Sequence, residues 1–234
     1  MALKLDDTHA TPRSRWVWAV ALAPLLPAVN WVFARSDIIG VRRPGEIWFE
    51  VTGPPHTGLV AFAGTFLLLA VVPLLLTRAT FGRSPRELGL GAGNVRLSLE
   101  YVALGVPIAI AFGYLTADSE ALRAVYPLGT VEARFAPFAL HSFGYFLYYV
   151  GFEYYFRGFL LFGLKDRLGP IPANVLQAGI VTLAHLGKPG IELAAAFPAS
   201  LLFGWLTLRT GSIWPVLLIH WALGVTVDWM LVFG

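Results

Sequence analysis

The sequence predicts an all-α protein, a polytopic membrane helical bundle of about seven transmembrane helices. Its 234 residues are 57% hydrophobic and only 13% charged, with a mean hydropathy of +0.68, far less charged than a soluble domain of this length. Apolar runs of about 20 residues, the length that crosses a bilayer, recur along the chain. Several ionisable side chains fall inside those runs, where they are costly unless they face a protein interior or a wet cavity.

The runs lie near 16–34, 58–77, 99–117, 136–164, 171–187, 191–208 and 213–233. The first follows a short polar tail, residues 1–15, expected in the cytoplasm, so the membrane domain is 16–234. Pro24, Pro27 and Asn30 interrupt this run without a sharp small-residue cleavage pattern, which favours an uncleaved anchor over a signal peptide. Gly40, Pro44, Gly45, Gly53, Pro54 and Pro55 argue against regular structure through most of 35–57. The Arg-rich, glycine-punctuated stretch 78–98 reads as a cytoplasmic connection. The fourth run is longer than the hydrocarbon core at about 1.5 Å per residue, so it must tilt, break or project. Asn174, Gln177 and Thr182 in the fifth run are expected to make interhelical hydrogen bonds.

With the N-terminus inside, ten Lys and Arg fall on cytoplasmic segments (Lys4, Arg13, Arg15, Arg78, Arg83, Arg86, Arg96, Lys165, Arg167, Arg209) and six outside (Arg35, Arg42, Arg43, Arg123, Arg134, Lys188), which favours that orientation. The net charge of +3 then reflects topology. No basic patch with interleaved aromatics points to nucleic acid. Cysteine is absent, which removes thiolate nucleophiles, disulfides and cysteine metal sites.

The chemistry concentrates in the second half. Glu153 and Arg157, in GFEYYFRGFL, are four residues apart and share a helix face within ion-pair reach. A buried carboxylate beside a guanidinium stays ionised, which suits either a base or a structural pair locking two helices. His185 ends the fifth run just before Gly187, Pro189 and Gly190, and His220 lies inside the last. A lone membrane histidine is usually a satisfied interior donor. A carboxylate, an arginine and two imidazoles on three runs converge only in a bundle interior. His141 sits off the Glu153 face and reads as structural or interfacial. Asp228 is roughly on the His220 side and is a poor donor when ionised. Glu192 follows the Pro189 and Gly190 break, where a membrane-surface position or a helix first turn explains it. The aromatic residues from Phe138 to Phe162 read as packing and interfacial anchors, with a pocket for a prenyl chain or apolar segment as the functional alternative.

The order FEYYFRG, then a histidine ending an apolar run, then GSIWPVLLIHW resembles the intramembrane CAAX protease and bacteriocin-processing family, the CPBP or Abi family. The resemblance covers about 136–233, carried by Glu153, Arg157, Gly158, His185 and the run from Arg209 through Gly211, Ser212, Trp214 and Pro215 to His220; RELGLG at Arg86–Gly91 is similar to the family's upstream loop. Three positions depart from the pattern: Phe152 stands where the family has its first glutamate, Val181 where it has phenylalanine, and Gly224 where it has asparagine. The resemblance implies a glutamic-type intramembrane endopeptidase that cleaves a membrane-associated protein or peptide in a bacterial cytoplasmic membrane.

In that mechanism Glu153, with or without His185, takes a proton from the attacking water. His220 polarises the carbonyl, and Arg157 holds Glu153 ionised. Two histidines and a glutamate also make a three-ligand zinc set, but no HExxH spacing is present and the family is metal-independent, so neither cofactor nor metal is expected. The rival from another class is a catalytically inactive member acting as a binding, immunity or scaffold protein. A transporter with a Glu, Arg and His proton relay is a third reading, although no matching pair of broken helices appears in two halves.

Overall fold

The computed structural model describes residues 57–129 and 131–234, with Pro27 besides. The predicted span 16–34 and nearly all of the 35–57 loop fall outside the described residues. The rest form seven helices, one isolated π turn and no strand. Helix α1 (57–81) joins Thr57–Phe66, the π-helical Leu67–Val71 and Val72–Phe81; a π turn at Arg86–Leu90 follows. Then come α2 (Val95–Thr116), the four-residue α3 (Glu120–Arg123) and the long α4 (135–168), which joins Phe135–Glu153, the π-helical Tyr154–Phe162 and Gly163–Leu168. Helices α5 (Pro170–Ala184), α6 (Gly190–Thr210) and α7 (Trp214–Phe233) complete the chain. Six of the seven predicted spans thus coincide with described helices.

Local chemistry sets their ends. The Asn94 side chain accepts from the Leu97 N–H at 3.1 Å and caps α2. Gly82 and Gly211 close α1 and α6 in the left-handed conformation. Pro170 and Pro215 sit in the first turns of α5 and α7, where a missing N–H costs nothing.

By length and composition α1, α6, α7 and the helix ending at Thr116 can each cross a membrane, and their outward faces are apolar: on α2, Leu104, Ile108 and Leu115 are 66%, 59% and 76% exposed. In water such a surface would aggregate; in a bilayer it is solvated. The chain is accordingly an integral membrane protein. Helix α4 differs. Every residue from Gly151 to Leu164 is buried, because α1, α5 and α6 pack around it. It is the core helix of the bundle, which is how Glu153 and Arg157 stay out of lipid. At 15 residues, α5 extends only about 22 Å.

Small residues let α4 approach α1 closely. A Cβ on Gly151 would meet the Thr65 carbonyl oxygen at 2.9 Å, and one on Gly144, seven residues earlier on the same face, would meet Leu59 at 2.8 Å. Between α5 and α6, Asn174 donates to the Leu201 carbonyl and Gln177 to the Ser200 carbonyl, each at 3.0 Å. Thr182 instead donates to Ala178 of its own helix at 2.8 Å, because a hydroxyl on a helix reaches the carbonyl four residues back more readily than a neighbouring helix.

The 78–98 connection is more ordered than its glycines suggest. Leu88 is fully buried, and Gly89, at φ +91°, turns the chain so that its carbonyl accepts from Ile213 N at 3.0 Å. Ser212 Oγ donates to the Gly91 carbonyl at 2.8 Å, and Trp214 Nε1 to that of Leu90 at 3.2 Å. The RELGLG turn therefore seats the start of α7, the helix that carries His220.

Candidate active site

Glu153 is buried with zero exposure, at the last α-helical position of α4 before its π-helical stretch. Its Oε1 accepts from His220 Nδ1 at 2.6 Å. Its Oε2 lies 3.3 Å from Arg157 Nε, one turn further on. That contact is an ion pair outside hydrogen-bonding angle, and both atoms lack a hydrogen bond. The guanidinium lies between the rings of Phe152 and Phe203, 5.7 Å from each centroid, and donates to Ser200 Oγ on α6 at 3.3 Å. An unpaired charge here would be prohibitive; paired, each ion holds the other in place.

The bond to a carboxylate puts the His220 proton on Nδ1 and leaves Nε2 as the working nitrogen. His220 lines a cavity of about 160 Å³ between α4, α5, α6 and α7. So do Arg157 and His185, whereas Glu153 does not; its charge reaches the cavity through His220. His185, just past the end of α5, makes a 2.7 Å Nδ1 contact with the Val181 carbonyl. A carbonyl only accepts, so this nitrogen also carries the proton and Nε2 is again the free one. All four predicted residues therefore meet: Glu153, Arg157 and His220 as one linked string, and His185 across the cavity.

Phe152 stands between the two imidazoles, its ring edge-on to both, 6.1 Å from His185 and 5.6 Å from His220. Gly224, also in the cavity lining, has no side chain to offer, yet its place is taken. A Cβ there would collide with the Tyr149 hydroxyl and approach Tyr145 at 2.9 Å. The Tyr149 ring packs on His220 at 4.5 Å, so a hydroxyl stands beside the imidazole where residue 224 would otherwise project. Val181 is buried beneath His185, contributing its carbonyl rather than its side chain.

Three cavity residues escape a reading of the sequence. Tyr149 is one turn before Glu153 on α4, a spacing visible in the chain but hidden among many aromatics. Ser200 looks like an ordinary helix residue. Glu192 lies in the first turn of α6, as its position after Pro189 suggests, and it also lines the cavity. Its Oε1 accepts from the Tyr126 hydroxyl at 2.9 Å and lies 3.8 Å from His185 Nε2 and 3.9 Å from Lys188 Nζ. Lys188 in turn donates to the Tyr126 oxygen at 2.8 Å. Burial pushes the Lys188 ammonium below its ordinary pKa, with Glu192 opposing, and pushes the Tyr126 phenol well above its own, so Tyr126 is a durable donor.

A second buried pair, His141 Nε2 and Asp228 Oδ2 at 2.7 Å, ties α4 to α7. This accords with a structural role for His141 and removes Asp228 from the His220 side chemistry. Among the described residues no three of His, Asp and Glu gather closely enough to hold a metal ion.

A family model described as type II CAAX prenyl endopeptidase Rce1-like matches residues 135–226. No curated protein and no solved structure matches the chain. The matched segment contains Glu153, Arg157, His185 and His220, and the resemblance to the CAAX protease family is borne out over residues 135–226 by this match.

Proposed function

We propose that the protein is an intramembrane endopeptidase that hydrolyses a membrane-associated peptide or protein within the cavity between α4 and α7. The observation that carries this reading is the pair of imidazoles facing one cavity with opposite support. His220 rests on the Glu153 carboxylate, itself paired with Arg157, so a second proton on its ring leaves a cation balanced by an anion. His185 rests on a neutral carbonyl and offers Nε2 as a proton acceptor. With that second proton in place, His220 donates from Nε2, and the Tyr149 hydroxyl donates beside it, to the carbonyl oxygen as negative charge develops on it, the part that Gly224 leaves open.

Glu153 and Arg157 act through His220, fixing its tautomer and its charge. The apolar lining, including Leu223, Ile191 and Ala199, suits an apolar peptide segment. The charge asymmetry of the loops supports an N-terminus inside, and the bacteriocin-processing resemblance supports a bacterial cytoplasmic membrane.

Phe152 between the imidazoles favours one alternative, a non-catalytic member that binds a partner at the same cavity. The two readings separate on peptide termini in membrane fractions from cells lacking the protein, or complemented with wild type or His220→Ala at matched expression. New termini with wild type alone are expected of a peptidase. Identical termini in all samples, with any growth or resistance phenotype restored by His220→Ala, would establish the binding role instead.

A further inference from the structure

Water attack needs an acceptor that touches the water. Glu153 does not line the cavity, and among the described residues Glu192 is the one carboxylate that does. Its Oε1 and the unprotonated Nε2 of His185 face each other at 3.8 Å. Two acceptors at that separation repel unless a donor lies between them. A water 2.8 Å from each, a typical hydrogen-bond length, fits: it donates one hydrogen to the carboxylate and the other to the imidazole, with its lone pairs turned outward. The pair also stands where water can arrive, since Tyr126 and Lys188, which hold Glu192, come from connections outside the spans.

We propose that Glu192 is a catalytic residue, holding and activating the hydrolytic water together with His185. The proposal rests on the peptidase reading and names the carboxylate that reading needs. The water oxygen bonds to the scissile carbonyl carbon while one of its protons passes to His185 Nε2, and the carbonyl oxygen turns toward His220 and Tyr149. The C–N bond then breaks and His185 returns that proton to the leaving amine. The other water proton stays on the new carboxylic acid until it ionises into solvent, so every atom is accounted for and His185 ends neutral.

The competing explanation is electrostatic: Glu192 as counter-ion to Lys188 and as a negative charge in the first turn of α6. Both of those roles need only the negative charge and survive in Glu192→Asp, whereas aligning the water needs the carboxylate at its full reach, which makes Glu192→Asp the control. Wild type, Glu192→Gln and Glu192→Asp are compared as equal amounts of monodisperse detergent-solubilised protein, incubated with membranes from cells lacking the protein, and the rate at which new peptide termini form is measured.

Loss of the carboxylate that aligns the water predicts at least about a 100-fold lower rate for Glu192→Gln and a smaller but clear loss for Glu192→Asp, which keeps the charge but retracts it by one carbon. Full activity of Glu192→Gln, or a wild-type rate in Glu192→Asp beside a loss in Glu192→Gln, overturns the proposal while leaving the peptidase reading intact. If Glu192→Gln does not accumulate, an undiminished rate in Glu192→Asp overturns it. Absence of new termini with wild type overturns both.

Discussion

The side chains of α4 explain how the site is arranged. Residues 152 and 153 are neighbours on a helix and point about 100° apart, so they cannot face the same cavity. Phe152 takes the cavity and Glu153 takes the interior, against Arg157 and His220. Glu153→Gln keeps the shape but presents an amide N–H that favours the other His220 tautomer. Cleavage should fall by up to about 10⁴-fold, the scale of a tautomer error in a catalytic triad, with no loss of folded protein; unchanged turnover would contradict the assigned string. His141→Ala belongs to stability, because it strands Asp228, 1% exposed, without its hydrogen-bond partner. Thermal unfolding in detergent should report a loss of about 3–5 kcal/mol.

Most of this is readable from the chain. Glu153 and Arg157 stand at helical spacing, and His185 and His220 are stranded in apolar runs. Glu192 is not, since its meaning depends on a helix start packing back onto the end of the preceding helix, a long-range fact that no local spacing encodes.

At the scale of elements, the working parts sit on α4 and α7, and each is fixed by contacts from a distant stretch. Helix α4 lies so close to α1 that Gly151 has no room for a side chain. Gly151→Leu should force the pair apart at about 1–3 kcal/mol, lower the unfolding temperature and separate Glu153 from His220, and a variant as stable and active as wild type would refute that packing. Helix α7 is seated by the RELGLG turn through Ile213, Ser212 and Trp214. Composition gives the glycines of that turn as loop formers and stops there. The turn is ordered because its carbonyls meet the N–H and side-chain donors ahead of α7, a pairing across about 120 residues. The hydropathy runs, by contrast, locate the long helices closely, since a bilayer imposes length and apolarity on each span independently. Helix α4 departs from that rule: from Gly151 to Leu164 it is enclosed by its neighbours and so tolerates Glu153 and Arg157 there.

For the whole molecule, the arrangement is a bundle with apolar outer faces around a polar string and a cavity of about 160 Å³ lined in part by residues from the connections. The outer faces dictate a membrane setting, and the cavity dictates where water and peptide can meet. The central claim is hydrolysis of a peptide bond by that water. Its most direct test is to incubate purified wild-type protein, and Glu153→Gln beside it, with membranes from cells lacking the protein in water enriched in oxygen-18, and to read new peptide C-termini by mass spectrometry. The predicted result is a set of new C-termini that carry the heavy oxygen with wild type and are missing with Glu153→Gln. No new C-termini with wild type, or the same set with the variant, would contradict it.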